Sequence, residues 1–182
     1  NKVVTAAATL TPGTYCGGIN ISADTTFSPG LYYIQDGDLK ITGSANVTAT
    51  NVTFLISGKN SNLNIQTTGT LTMSPNTDAA AGQWAGFVFY YDQPSSKNNS
   101  LGQSTIKSAK LNMSGIIYLA GQSLNVTDGA VVTVNPGSII ADFILPKNDG
   151  HLYMTGTINS PLAVLQSMKK TGATSGGPIL VN

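Results

Sequence analysis

The chain has 182 residues, enough for one sizeable domain and short for two; 41% are hydrophobic and only 9% charged, against roughly 25% in soluble domains generally. Every base is Lys and every acid is Asp, so bidentate Arg recognition of phosphate or guanine is missing, and a net charge of +1 on scattered Lys residues argues against nucleic acid as a partner. The single Cys16 excludes an intrachain disulfide and a cysteine zinc site, and no apolar run approaches the roughly 18 residues of a membrane-spanning helix.

Without Glu and Arg the chain lacks two good surface-helix formers, while Thr and Val are abundant, so the expectation is an almost entirely β protein. Asn1 to Thr9 alternates weakly and reads as an opening strand or a cap. Leu10 to Thr42 then says the same thing twice. Pro12-Gly13 and Pro29-Gly30 stand 17 residues apart, each followed by a short alternating strand. Gly17-Gly18 in one copy and Asp36-Gly37 in the other make a second turn leading to Ile19–Ser22 and Leu39–Thr42. Strand, turn and strand at a repeating interval predict a chain that winds on itself.

Val52–Ile56, a turn at Ser57 to Ser61 and Leu63–Gln66 repeat that order. The register breaks after Met73: loop insertions are expected near 74–83 and 92–103, on either side of the aromatic run Trp84 to Tyr91. Placing Tyr118 on Tyr33 puts Leu124 on Leu39 and Val126 on Ile41, so the repeat survives the insertion. Val131–Val134, a third Pro-Gly pair at Pro136-Gly137, Ile139–Leu145 and Leu152–Thr155 form a further coil. Ile158 and Leu162–Leu165 follow, then a polar stretch and a closing strand from Pro178.

The expected fold is one right-handed parallel β-helix of about six or seven coils, on the order of 30 Å long, with a Greek-key sandwich as its competitor. Ile21, Ile41, Ile65, Val126 and Met154 are expected to form an interior column. The chain begins without Met and reads as a fragment of a longer, exported protein.

No acid–base grouping declares itself. His151, the only histidine, follows a turn and reads as a solvated side chain, and Asp36 and Asp38 read as turn residues rather than calcium ligands. No cofactor or metal is expected. Six Asn-x-Ser/Thr triplets, from Asn20 to Asn125, are explained by composition. Phe87 and Phe89 are expected in the core. Trp84, Tyr91, Asp92 and Lys97, beside the irregular stretches, are the candidate contacts for a partner protein or a glycan. Cys16 is expected as a small buried strand residue, with an intermolecular disulfide as the alternative.

Pro12-Gly13-Thr14-Tyr15-Cys16-Gly17-Gly18, Ser28-Pro29-Gly30-Leu31-Tyr32, Trp84-Ala85-Gly86-Phe87-Val88-Phe89 with Asp92 after it, and Ser114-Gly115-Ile116-Ile117-Tyr118 occur in this order. Together they resemble the carboxy-terminal region of TadG-like proteins of the bacterial tight-adherence (Flp) pilus system, from about Leu10 to Leu165. The resemblance implies an extracytoplasmic, periplasmic or surface protein, anchored by a membrane helix outside this sequence, that acts in pilus assembly and adhesion with other envelope or pilus proteins as partners. It implies no catalytic residue, so the expectation is a non-enzymatic module presenting loops. Where relatives carry a charged residue after the Asp92 position, this chain has Gln93-Pro94. The competing expectation is a carbohydrate-binding or carbohydrate-cleaving β-helix.

Overall fold

The computed structural model describes residues 1–58, 61–92 and 102–155. Short alternating segments, cut by Gly, Asp or Asn corners, form successive rungs. The first coil is β1 (Lys2–Val4), β2 (Ala8–Leu10) and β3 (Gly13–Cys16), and the second is β4 (Ile19–Ile21), β5 (Thr25–Phe27) and β6 (Gly30–Gln35). The third is β7 (Leu39–Gly43), β8 (Val47–Ala49) and β9 (Val52–Ser57), and the fourth β10 (Leu63–Thr67), β11 (Thr70–Met73) and β12 (Phe87–Asp92). β13 (Gly102–Lys107) opens the fifth; β14 (Lys110–Thr127) and β15 (Val131–Lys147) then bend through successive faces without interruption, and β16 (His151–Met154) ends the described residues.

All pairings among the described residues are parallel, each strand lying on its counterpart one coil away: β1 on β4, β4 on β7, β7 on β10, β10 on β13. This is a β-solenoid of about six turns with three faces, not a sandwich of antiparallel sheets. The interior column on the first face runs Val4, Ile21, Ile41, Ile65, Ile106 and Val126, all buried. Full burial of such side chains stabilises by about 1.5–3 kcal/mol each. Tyr33, Leu55, Tyr90 and Tyr118 share one column, so the alignment of Tyr118 with Tyr33 holds in space. Inside the third face Phe54 packs edge-on against Phe27 at 4.9 Å and stacks on Phe89 at 5.4 Å.

The corners are built by close backbone approach. A Cβ on Gly37 would lie 2.3 Å from the Gly17 carbonyl carbon, so the Asp36-Gly37 turn stacks directly on Gly17-Gly18. Polar side chains tie other corners together: the Asp24 carboxylate accepts the Asn46 backbone N–H at 2.8 Å, and Asn46 Oδ1 accepts that of Thr70 at 3.0 Å.

Four expectations are corrected. The 17-residue repeat holds where Leu10 lies on Phe27, but on the third face Gly13 lies on Tyr32, because β6 extends past β3 by Gly30-Leu31 to pair with β9. Met154 does not join the column of Ile21, Ile41, Ile65 and Val126: it pairs with Val134 on the second face and is 48% exposed. Cys16 is exposed rather than buried, its thiol 3.9 Å from Gln35 Oε1. Residues 102 and 103, read as the end of a loop, open strand β13 (Gly102–Lys107), which no expected strand covered. Ile158 and everything beyond it lie outside the described residues.

Candidate interaction surface

The solenoid departs from its rhythm on the fourth coil. Thirteen residues separate Met73 from Phe87, at a corner that the preceding coil turns with two, Thr50 and Asn51. Asn76, 4% exposed, organises them: its Oδ1 accepts the Asp78 N–H at 2.9 Å and its carbonyl accepts that of Gly86 at 3.0 Å. A short 3-10 helix, Ala79–Trp84, kinked at Gly82, leads to β12. Residues 93–101, which follow the same strand in the chain, lie outside the described residues.

β12 enters through a bulge between Phe87 and Phe89, which pair with Ile116 and Ile117. The extra residue turns Phe87 to the outer side, where the Thr53 hydroxyl donates to its carbonyl at 2.7 Å. Phe87 packs edge-on against Tyr90 at 5.4 Å and Tyr118 at 6.2 Å, and those two rings stack on each other at 5.0 Å. The outer column is thus Tyr33, Leu55, Tyr90, Tyr118 and Ile140, with Leu55 buried and the other four half-buried. Burial raises the Tyr90 phenol above its ordinary value, with Tyr118 and then Asp92 adding to the rise; burial and then Asp142 do the same for Tyr118. Both remain neutral hydrogen-bonding groups at neutral pH.

The candidates read from sequence separate. Asp92 is exposed at the end of β12 beside Ser57, and Trp84 is half-buried at the end of the 3-10 helix. Tyr91 is 1% exposed and faces the interior beside Ile56, which removes it as a surface contact. Lys97 lies outside the described residues. Phe87 and Phe89 are both buried, Phe89 in the main core and Phe87 beneath the outer aromatic stripe.

Sequence reasoning missed Tyr33 and Tyr118 as surface residues. The signal was parity: with Phe89 inward, Tyr91 faces inward and Tyr90 outward. His151 is exposed and stacks on Tyr153 at 6.1 Å. Asp38 uses its carboxylate to accept the Asn62 N–H at 2.9 Å, a corner role. Among the described residues no group of three His, Cys, Asp or Glu is placed to hold a metal, and no helix is long and apolar enough to cross a membrane.

No family model, curated protein or solved structure matches this chain.

Proposed function

We propose that the chain is a non-enzymatic, extracytoplasmic module of a cell-envelope or pilus-assembly protein, and that it docks partner proteins through the outer side of its third face. The observation that carries this reading is the long insertion before β12 on one coil, with the half-buried stripe of Tyr33, Tyr90 and Tyr118 on the outer side of the same face. Half-buried tyrosines with protonated hydroxyls suit a protein interface, where rigid aromatic area combines with hydrogen bonding. Stacking of Tyr90 on Tyr118 covers ring faces that a sugar would need, which favours protein over glycan. The four phrases shared with TadG-like proteins supply the pilus context.

The test is photocrosslinking in the intact envelope from position 84, with Trp84 replaced by a photoreactive residue in the full-length protein. Adducts with pilus subunits or secretion-channel components, lost on deleting residues 93–101, are expected. Adducts unchanged by the deletion, or glycan-array binding that Trp84→Ala abolishes, would overturn the reading.

A further inference from the structure

A different face carries a second surface. On the outer side of the second face Thr9 lies beside Thr26, Thr26 beside Thr48, Thr48 beside Thr72, and the column continues through Asn112 to Thr133. The first four are exposed. Two residues on in the chain from each stands another hydroxyl, Thr11, Ser28, Thr50 and Ser74, so Thr-x-Thr or Thr-x-Ser recurs on four consecutive coils. The pairings that carry this column, from β2 to the first part of β14, contain no register shift.

The hydroxyls of the column itself are uncommitted, whereas Ser74 Oγ accepts the Asn51 N–H at 3.0 Å. Thr25, Thr42, Thr53 and Thr67 donate to backbone carbonyls, whereas Thr9, Thr26, Thr48 and Thr72 make no side-chain hydrogen bond with any described residue. A shallow trough runs along the face, lined by Thr9, Thr26 and Thr48 with Ala7, Asp24 and Asn46 at its edge. The column bears no charge from Thr9 to Thr133, and the Asp24 carboxylate beside it is occupied by Asn46.

We propose that this face binds ice. Parallel rungs hold neighbouring threonines of this column about 4.8 Å apart. That interval lies close to an oxygen repeat of hexagonal ice. Threonine is stiff at χ1, so the array is held in place before binding. Each hydroxyl both donates and accepts, as a lattice water does, and its methyl leaves apolar surface between anchor points. A single hydroxyl gains nothing from ice over liquid water. An array in register gains at every rung, because the waters it meets are already immobilised. The rank from Thr9 to Thr133 is uncharged, overlies a shallow trough and ends at the exposed Tyr153, which suits a neutral solid lattice better than a dissolved chain molecule. The second face is distinct from the aromatic surface, so either reading can fail without the other.

The experiment uses the whole chain, fluorescently labelled, in ice-affinity partitioning and in osmometry of single ice crystals. The expected result is incorporation into a growing ice hemisphere, faceted crystals and a freezing-point gap that widens with concentration. Thr26→Tyr and Thr48→Tyr abolish these, Thr48→Val weakens them at unchanged volume, and Asn64→Tyr on the first face leaves them intact, with circular dichroism confirming the fold of each. Exclusion of the unaltered chain from ice, full activity in both tyrosine variants, or adsorption to powdered cellulose or chitin but not to ice would overturn the proposal.

Discussion

Gln122 is fully buried and joins three coils through its side chain. Its Nε2 donates to the Ser61 carbonyl at 3.1 Å and to Asn62 Oδ1 at 3.4 Å, and its Oε1 accepts the hydroxyl of Ser104, itself fully buried. Gln122→Leu keeps the volume but orphans the Ser61 carbonyl and the Ser104 O–H. At about 1–3 kcal/mol per buried polar group left without its partner, the loss is about 2–6 kcal/mol. That is a large share of a total stability of about 5–15 kcal/mol. With a urea slope of about 2 kcal/mol per molar, the unfolding midpoint falls by about 1–3 M with the slope unchanged. Gln122→Glu sharpens the test. A carboxylate in this site cannot donate to the Ser61 carbonyl and is desolvated, so its folded pKa rises above the unfolded value of about 4.3. The stability tied to the neutral form is then complete below that value and is lost as pH rises through the folded pKa. A midpoint shift under about 0.3 M for Gln122→Leu, or a Gln122→Glu variant as stable at pH 8 as at pH 4, would refute the reasoning.

Asp128 is held below the ordinary carboxylate range, first by its hydrogen bond from Lys107, 3.0 Å away, and then by that from Asn148. Its stabilising contribution is present above the unfolded pKa and is lost as pH falls through the folded one; carboxyl-resolved NMR titration of Lys107→Met moves its midpoint upward. Gly37→Ala drives a Cβ to 2.3 Å from the Gly17 carbonyl carbon, so the backbone must shift at a cost of about 1–3 kcal/mol, read as a lowered urea midpoint. Burial pushes the Tyr32 phenol far up, so in a spectrophotometric titration it ionises only with alkaline unfolding; Tyr32→Phe removes that late step but loses the hydrogen bonds to the Leu10 and Ser28 carbonyls, both 2.8 Å. Phe54→Ala opens the aromatic core between Phe27 and Phe89 and costs about 3–5 kcal/mol by the same denaturation assay.

The winding fold was legible because its corners and its apolar alternation are both local signals. Leu39, Ile41, Leu124 and Val126 could be superposed by counting, and the pairings set Leu39 beside Leu63 and Ile65 beside Ile106 in those columns. β13 was not legible as a separate strand, since its inward Ser104 stands where other rungs carry Leu or Ile. The hydroxyl is tolerable there because it donates to Gln122, 18 residues later, and accepts the Leu63 N–H at 3.1 Å. Tyr91 was misplaced by weighing its nearness to a loop above its parity with Phe89. The outward Phe87 depended on a bulge that no residue type announces. Cys16 was misjudged because free cysteine is usually buried, whereas its place on the short outer strand β3 leaves it in solvent.

A solenoid can carry two unrelated surfaces because each rung answers mainly to its neighbours. The fourth coil shows the mechanism: β12 still pairs with β9 below and β14 above, so the extra chain before it leaves the ladder continuous. Lengthening such a corner adds only about 0.6 kcal/mol of closure entropy per doubling. The second face, by contrast, tolerates no insertion in the middle of its column, because one added residue would turn its threonines inward and its core residues outward. Changes at Trp84 on the elaborated face and at Thr48 on the regular one share no partner, so their effects on stability add within about 0.5 kcal/mol. A larger coupling in the Trp84→Ala, Thr48→Tyr double variant would mean that the two faces communicate through the core, and that the rung-by-rung independence assigned to this fold is wrong.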